Sequence, residues 1–220
     1  MNKKFILHRC RIVTVCLSLL VVGGCNILLP STTPYPSFYS LDSVPEIAKA
    51  AASATAPTLI INPPVAAAGF DNPRIIYMRE THKFEYFAHS EWVDSPARML
   101  MPLLVTTIEN SGAFRAVVLT PSSAIGDLRL DNEIIRLQHE FLTQPSQVHF
   151  TLRSYLVDNK TRRVLAWREF DTIVPAASDD TYGGVVAANH AVKIVLEELS
   201  TFCAEAVFNI WDQVERPEDE

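Results

Sequence analysis

Few residues of this chain could do chemistry, and the first of them is Cys25, in "VVGGCNILLP" (21–30). A cysteine there could form a disulfide, act as a nucleophile, pack in a core or carry a covalent group. The other cysteines are Cys10, Cys16 and Cys203; there is no C-x-x-C, and no Cys/His cluster has zinc spacing. His82, Glu85 and His89 are close in sequence. On a strand, however, positions 82 and 89 face opposite ways, which reads as exposed strand histidines rather than a metal site. His139 and His149 fall on neighbouring predicted strands and could face each other. With Asp131 or Glu140 they would suggest acid–base work, against the plainer reading of a polar outer sheet face. His190 sits beside Asn189, Lys193 and Glu197 on the polar side of a predicted helix, and Cys203 on its apolar side, as a small core residue. Trp92 and Trp167 read as packing residues. Gly183-Gly184 at a helix start could hold an anion, but Asp179 and Asp180 beside them argue against a phosphate. G-x-S-x-G, P-loop, G-x-G-x-x-G and H-E-x-x-H patterns are absent.

The elements around Cys25 give it a context. Residues 1–11 are basic, and Ile12 to Val22 form an apolar run of eleven. A membrane-spanning helix needs roughly 20 such residues. A basic front, a short apolar run and small residues behind it make the pattern of a secretory signal. It closes on Val22-Gly23-Gly24-Cys25, which resembles the bacterial lipobox. That resemblance implies cleavage before Cys25, diacylglycerol on its sulfur and an acyl group, such as palmitate, on its amine. In the familiar enterobacterial sorting logic Asp after the Cys retains a lipoprotein in the inner membrane. Asn26 therefore favours the periplasmic face of the outer membrane, with the inner membrane as the alternative.

Charge excludes some partners. The first 24 residues hold four of the 19 bases (Lys3, Lys4, Arg9, Arg11) and no acid, so 15 bases remain against 25 acids, a net of −10. Nucleic acid demands clustered Lys and Arg, so no nucleic-acid partner is expected.

The boundaries read as follows: 1–24 signal peptide; 25–57 lipidated N-terminus and Pro/Ala-rich tether with a short strand "FYSLD"; 58–213 folded domain; 214–220 acidic tail. Within the domain, "TLIIN" reads as a buried strand and "NPPVAAAGFDNP" as a loop. "RIIYM" and "KFEYFAHSEW" are two strands joined by a polar turn. Asp94 or Ser95 caps a helix with Pro96 in its first turn. Pro102 inside it should kink it or mark a late start, and Gly112 is a C-cap. "AFRAVVL" follows as a strand. Stretches 127–141, 146–158 and 162–174 form an antiparallel meander with a hairpin turn at "DNKT". In the middle strand Val148, Phe150, Leu152 and Leu156 share one face, with His149, Thr151 and Arg153 on the other. From residue 181, apolar residues at 185, 188, 192, 195, 199, 202, 206 and 210 mark a long amphipathic helix docked on the sheet. The sum is a single compact α/β domain with a mixed, largely antiparallel sheet packed by two main helices, preceded by a signal peptide and a flexible tether.

From about Phe38 to Trp211 the chain resembles the PqiC-type ABC transport auxiliary lipoproteins. The residues that carry this are "FYSLD", "RIIYM", and "FEYFAHSEWVDSP" leading into "ARMLMPLLVTTIENSGAFRAVV". They continue with "LRLDNEIIRLQHEF", "YLVDNKTRRVL" and "AANHAVKIVLEEL". "WVDSP" and Pro102 depart from the family pattern and bear on where the helix starts. The resemblance implies a non-enzymatic periplasmic component of an ABC-type lipid transport system. Its partners would be an ABC permease and ATPase and an MCE-domain periplasmic protein, docked at the outer membrane, with a homo-oligomeric ring in some members. It implies no cofactor beyond the lipid on Cys25. The competing classes are a scaffold or activator lipoprotein of envelope assembly, and a hydrolase built on His139 or His149.

Overall fold

The computed structural model describes residues 35–46 and 49–214, with side chains up to Asn209. Cys25, the signal peptide, most of the tether and the acidic tail lie outside the described residues. The compact unit begins at Pro36, so its first strand belongs to the body rather than to the tether. That strand, β1 (Ser37–Tyr39), is followed by β2 (Thr58–Ile61), β3 (Val65–Ala66), β4 (Arg74–Glu80), β5 (Lys83–Trp92) and α1 (Pro96–Asn110). Then come β6 (Ala116–Leu119), β7 (Leu128–Glu140), β8 (Gln147–Asp158), β9 (Val164–Pro175) and α2 (Thr181–Val214). The sequence reading treats the stretch containing β3 as loop. Its two residues nonetheless pair with Glu133 and Ile134 in mid-β7.

The sheet is organised by β7. Along one edge β7 pairs antiparallel with β8 over its whole length, and β8 with β9. Its other edge is shared in sequence by β2 at its start, β3 in its middle and β4 at its end, all parallel. β6 extends β2, while β5 and then β1 extend β4. The long pairings are antiparallel and the parallel ones short, a mixed, largely antiparallel sheet.

Both helices cover one face. α2 lays Val192, Val195, Leu196, Leu199 and Cys203 on Phe150, Leu152 and Leu156, and all eight are fully buried. Each large aliphatic side chain so removed from water contributes about 1.5–3 kcal/mol. α1 packs against α2 and β6 through Met99, Leu100, Leu103, Leu104 and Ile108. It is one continuous helix starting at Pro96. Pro102 sits on its exposed side, where water can take the carbonyl that a proline cannot bond. Ser95 is the N-cap, without a side-chain bond. Past the C-cap Ser111, Gly112 takes φ +67°, and a Cβ there would stand 2.7 Å from that of Ala50. The Ala50 amide meanwhile donates to the Asn110 carbonyl, so the Ala-rich segment closes the helix end.

One irregularity sets the chemistry. Up to Ile134 the even residues of β7 point to the helices: Leu128, Leu130, Asn132 and Ile134 are buried. The pairing with β8 then slips between Ile134 and Arg136, leaving Ile135 as a bulge. Beyond it the odd residues Leu137 and His139 point inward, and Arg136, Gln138 and Glu140 outward. A single inserted residue exchanges the two faces of the rest of the strand.

Candidate functional surfaces

The bulge separates the two histidines that a regular β7 would bring face to face. His139 lies opposite Val148 on the helix side; His149 lies opposite Gln138 on the outer side. The acid–base pairing of the two is therefore not formed, and each has its own surroundings.

His139 is 2% exposed. Its Nε2 bonds the Ser146 hydroxyl at 2.8 Å, and the Ser146 amide donates to Asp179 Oδ1 at 2.8 Å. Phe141 stacks at 4.2 Å between centroids, with Phe87 and Tyr77 beyond. Its Nδ1 is buried without a partner and abuts the first turn of α2. A Cβ on Gly184 would stand 2.3 Å from Nδ1, so only glycine admits the ring there. Burial pushes the imidazole pKa down, against the opposing pull of Asp179 and Asp180. Asp180 caps the turn by accepting from the Gly183 amide at 2.7 Å, so the helix start is already satisfied by a carboxylate of the chain itself.

On the outer face His149 meets Arg136 at 2.8 Å, Asp171 at 2.8 Å and Glu140 at 3.4 Å. Thr151 donates to Asp171, and Gln138 and Gln147 donate to Glu140. Burial works to raise both carboxyl pKa values. The hydrogen bonds from Thr151 and His149 to Asp171, and from Gln138, Gln147 and His149 to Glu140, outweigh it and hold both below the usual range. No Ser or Cys joins His149 in these bonds, so they arrange two carboxylates around a histidine without a strong nucleophile. Among the described residues no group of three or more His, Cys, Asp or Glu is placed to hold a metal ion. His82 occupies the β4–β5 turn with φ +67°, not a strand, and His89 is exposed.

Farther along the same face the charges are paired, across strands at Arg153 and within β7 at Arg129. Arg153 bonds Glu169 at 2.7 Å and lies 3.6 Å from Glu133; Arg129 bonds Asp131 at 2.8 Å. Trp167 is 61% exposed and stacks on Tyr155, which corrects the reading of it as a packing residue. Trp92 is buried, as expected. Cys203 is wholly buried, and burial pushes its thiol up to about 12, far from a reactive thiolate.

A further surface lies where the chain enters the domain. Asn189 of α2, a residue sequence reasoning placed only on the polar side, accepts from the Asp42 and Ser43 amides at 2.9 and 3.2 Å. It donates to the Ser40 carbonyl at 3.0 Å. This clamp holds the segment after β1 against the helix. Beside it runs an open groove of about 570 Å³ between β1 and the first half of α2. A lone polar asparagine beside small helix residues gave little sign of this role.

The chain belongs to the ABC-type transport auxiliary lipoprotein component family, whose model matches residues 39–200. The match spans every described element from the end of β1 into α2. The crystal structure of protein XCC0632 from Xanthomonas campestris is similar at 21% identity, TM-score 0.65, covering 77% of this chain and 95% of that one. The crystal structure of an uncharacterized protein is similar at 11% identity, TM-score 0.60, covering 76% and 98%. Both show the fold. No curated protein matches the chain. The family is one of lipoproteins that assist ABC-type transport, not an enzyme family, and it places the chain at a membrane of the cell envelope. No helix among the described residues is long and apolar enough to cross a membrane.

Proposed function

We propose that this chain is the periplasmic lipoprotein of an ABC/MCE-type lipid transport system, docking the transport machinery at the outer membrane. The observation that carries it is the family match over residues 39–200, together with the lipobox-like "VVGGC" that ends the apolar run. In this reading Cys25 is the first residue of the mature protein and carries diacylglycerol and an acyl chain, and no other cofactor is needed. Two or three chains hold far more firmly than one, since each buried CH₂ adds roughly 0.8 kcal/mol. Asn26 directs the protein to the outer membrane. The partners are an ABC permease and ATPase and an MCE-domain protein that reaches the lipoprotein across the periplasm, where several copies assemble as a ring. The domain contributes binding rather than chemistry: the outer-face histidine is tied into carboxylates and the buried thiol is inert.

Two measurements test this reading. Deleting the protein should change outer-membrane lipid composition; unchanged composition would remove the transport role and leave an envelope scaffold. Cys25→Ser should give a folded protein absent from the outer-membrane fraction, and its presence there would end the anchor reading.

A further inference from the structure

The groove beside the Asn189 clamp has an unusual rim for an otherwise acidic protein. Phe38 on β1 is 60% exposed, and on α2 Tyr182 is 64% and Val186 46% exposed. Tyr182, Val186, His190 and Lys193 follow each other at helical spacing on one side of α2, and all four line the groove. Asp42, also in the lining, is turned back to accept from the Ser40 hydroxyl at 2.9 Å. The rim is thus two aromatic side chains and a valine, flanked by a histidine and a lysine. An apolar ring and a tyrosine with a neighbouring cation are a composition favoured at the boundary of water and lipid.

Chain length argues for the same occupant. The compact unit starts at Pro36, one residue before β1. From Cys25 to Pro36 is eleven residues, which reach at most about 40 Å fully extended. A groove at the chain's point of entry is therefore held within a short radius of whatever Cys25 is attached to. A short tether raises the local concentration of that surface to the millimolar range, so even a weak contact is populated.

We propose that the rim formed by Phe38, Tyr182 and Val186, with Lys193 beside it, seats on the interfacial layer of the bilayer that holds the anchor. This rests on the reading that Cys25 is lipidated. The seated domain has the first half of α2 against the lipid. The anchor thereby fixes an orientation as well as a location.

The test uses the full lipidated protein in vesicles of phosphatidylethanolamine and phosphatidylglycerol. After processing, Cys25 is blocked by lipid and Cys203 is buried, so one introduced cysteine takes a spin label alone. Phe38→Cys, Tyr182→Cys and, as control, Trp167→Cys replace exposed side chains and leave the core intact. Labels at 38 and 182 should be shielded from a water-soluble nickel chelate and open to oxygen, with the reverse at 167. Phe38→Ser combined with Tyr182→Ser, read from a label at Val186→Cys, should lower the seated fraction roughly tenfold or more, since transferring either ring is worth more than a factor of ten. Protein that floats with the vesicles while 38 and 182 are as open to the chelate as 167 would overturn the seating alone. Protein that fails to float would overturn the anchor and the seating with it.

Discussion

The two faces of the β7–β9 meander are built from the same three strands and obey different rules. On the helix side Phe150, Leu152 and Leu156 meet Val192, Val195, Leu196 and Leu199, all closed to solvent. There His139 sits in a tight seat whose burial pushes its pKa down, and Ser154 donates to Asn132 at 2.7 Å as a buried polar pair. On the other side Arg153, Glu169, Glu133, Arg129 and Asp131 neutralise one another in reach of solvent, and Trp167 stands exposed among them. The helix face carries the stability, because apolar burial is the dominant favourable contribution to folding. The outer face contributes little per contact, since exposed ion pairs are worth about 0–1 kcal/mol each.

Substitutions on the two faces should differ in cost. Leu199→Ala opens a cavity under α2 and should cost about 2–5 kcal/mol in denaturant unfolding. A loss no greater than that of an outer-face change would mean the faces are not distinct. Gly184→Ala drives a methyl group onto His139 Nδ1 and should cost about 1–3 kcal/mol. His139→Ala in the same chain should recover much of that, and a strictly additive double variant would place the strain elsewhere. Asn189→Ala removes the clamp on the entering strand and should cost about 1–2 kcal/mol. Amide exchange at Asp42 and Ser43 should then quicken while the meander stays protected.

The pH profile tests the same contrast. His139 has a folded-state pKa below its ordinary 6.5, so the unfolded chain binds the proton first. Its contribution is fully present above pH 6.5 and is lost as pH falls from there towards the folded value, with a slope of at most about 1.4 kcal/mol per pH unit. Glu140 and Asp171, both depressed, add a separate loss at lower pH, below their ordinary values of 4.5 and 3.8. His139→Gln should flatten the upper limb and leave the lower one. A limb unchanged in that variant would show that another group titrates. The smallest effect belongs to Trp167→Ala, expected to change stability by no more than about 0.5 kcal/mol.

The order of elements was legible because each obeys a local rule. Pro96 starts α1 and Gly112 ends it, Asp158 closes the β8–β9 hairpin by accepting from the Lys160 and Thr161 amides, and α2 repeats its apolar stripe. The faces of β7 were harder. "LRLDNEIIRLQHE" alternates until the doubled Ile134-Ile135, after which the apolar phase shifts to Leu137. That doubling is the local sign of the bulge. Read without it, the strand places His139 with His149 and suggests a catalytic pair. The reach of the body back to Pro36 was not legible either, because β1 is three residues paired with β5, and the segment behind it is held by Asn189 from more than a hundred residues away. Long-range hydrogen bonds leave no periodicity in a sequence. Trp167 shows the same limit: its strand position was clear, but which face lacked a helix was decided by how α1 and α2 pack.

The role proposed for this lipoprotein is to serve a transporter by binding its other components. The most direct measurement is affinity capture of the lipidated full chain from detergent-solubilised envelopes, with the captured proteins identified by mass spectrometry. An MCE-domain protein together with an ABC permease or ATPase, retained on washing and absent with an unrelated lipoprotein as bait, is the predicted result. Capture of the intact, lipidated chain with none of these subunits would contradict it.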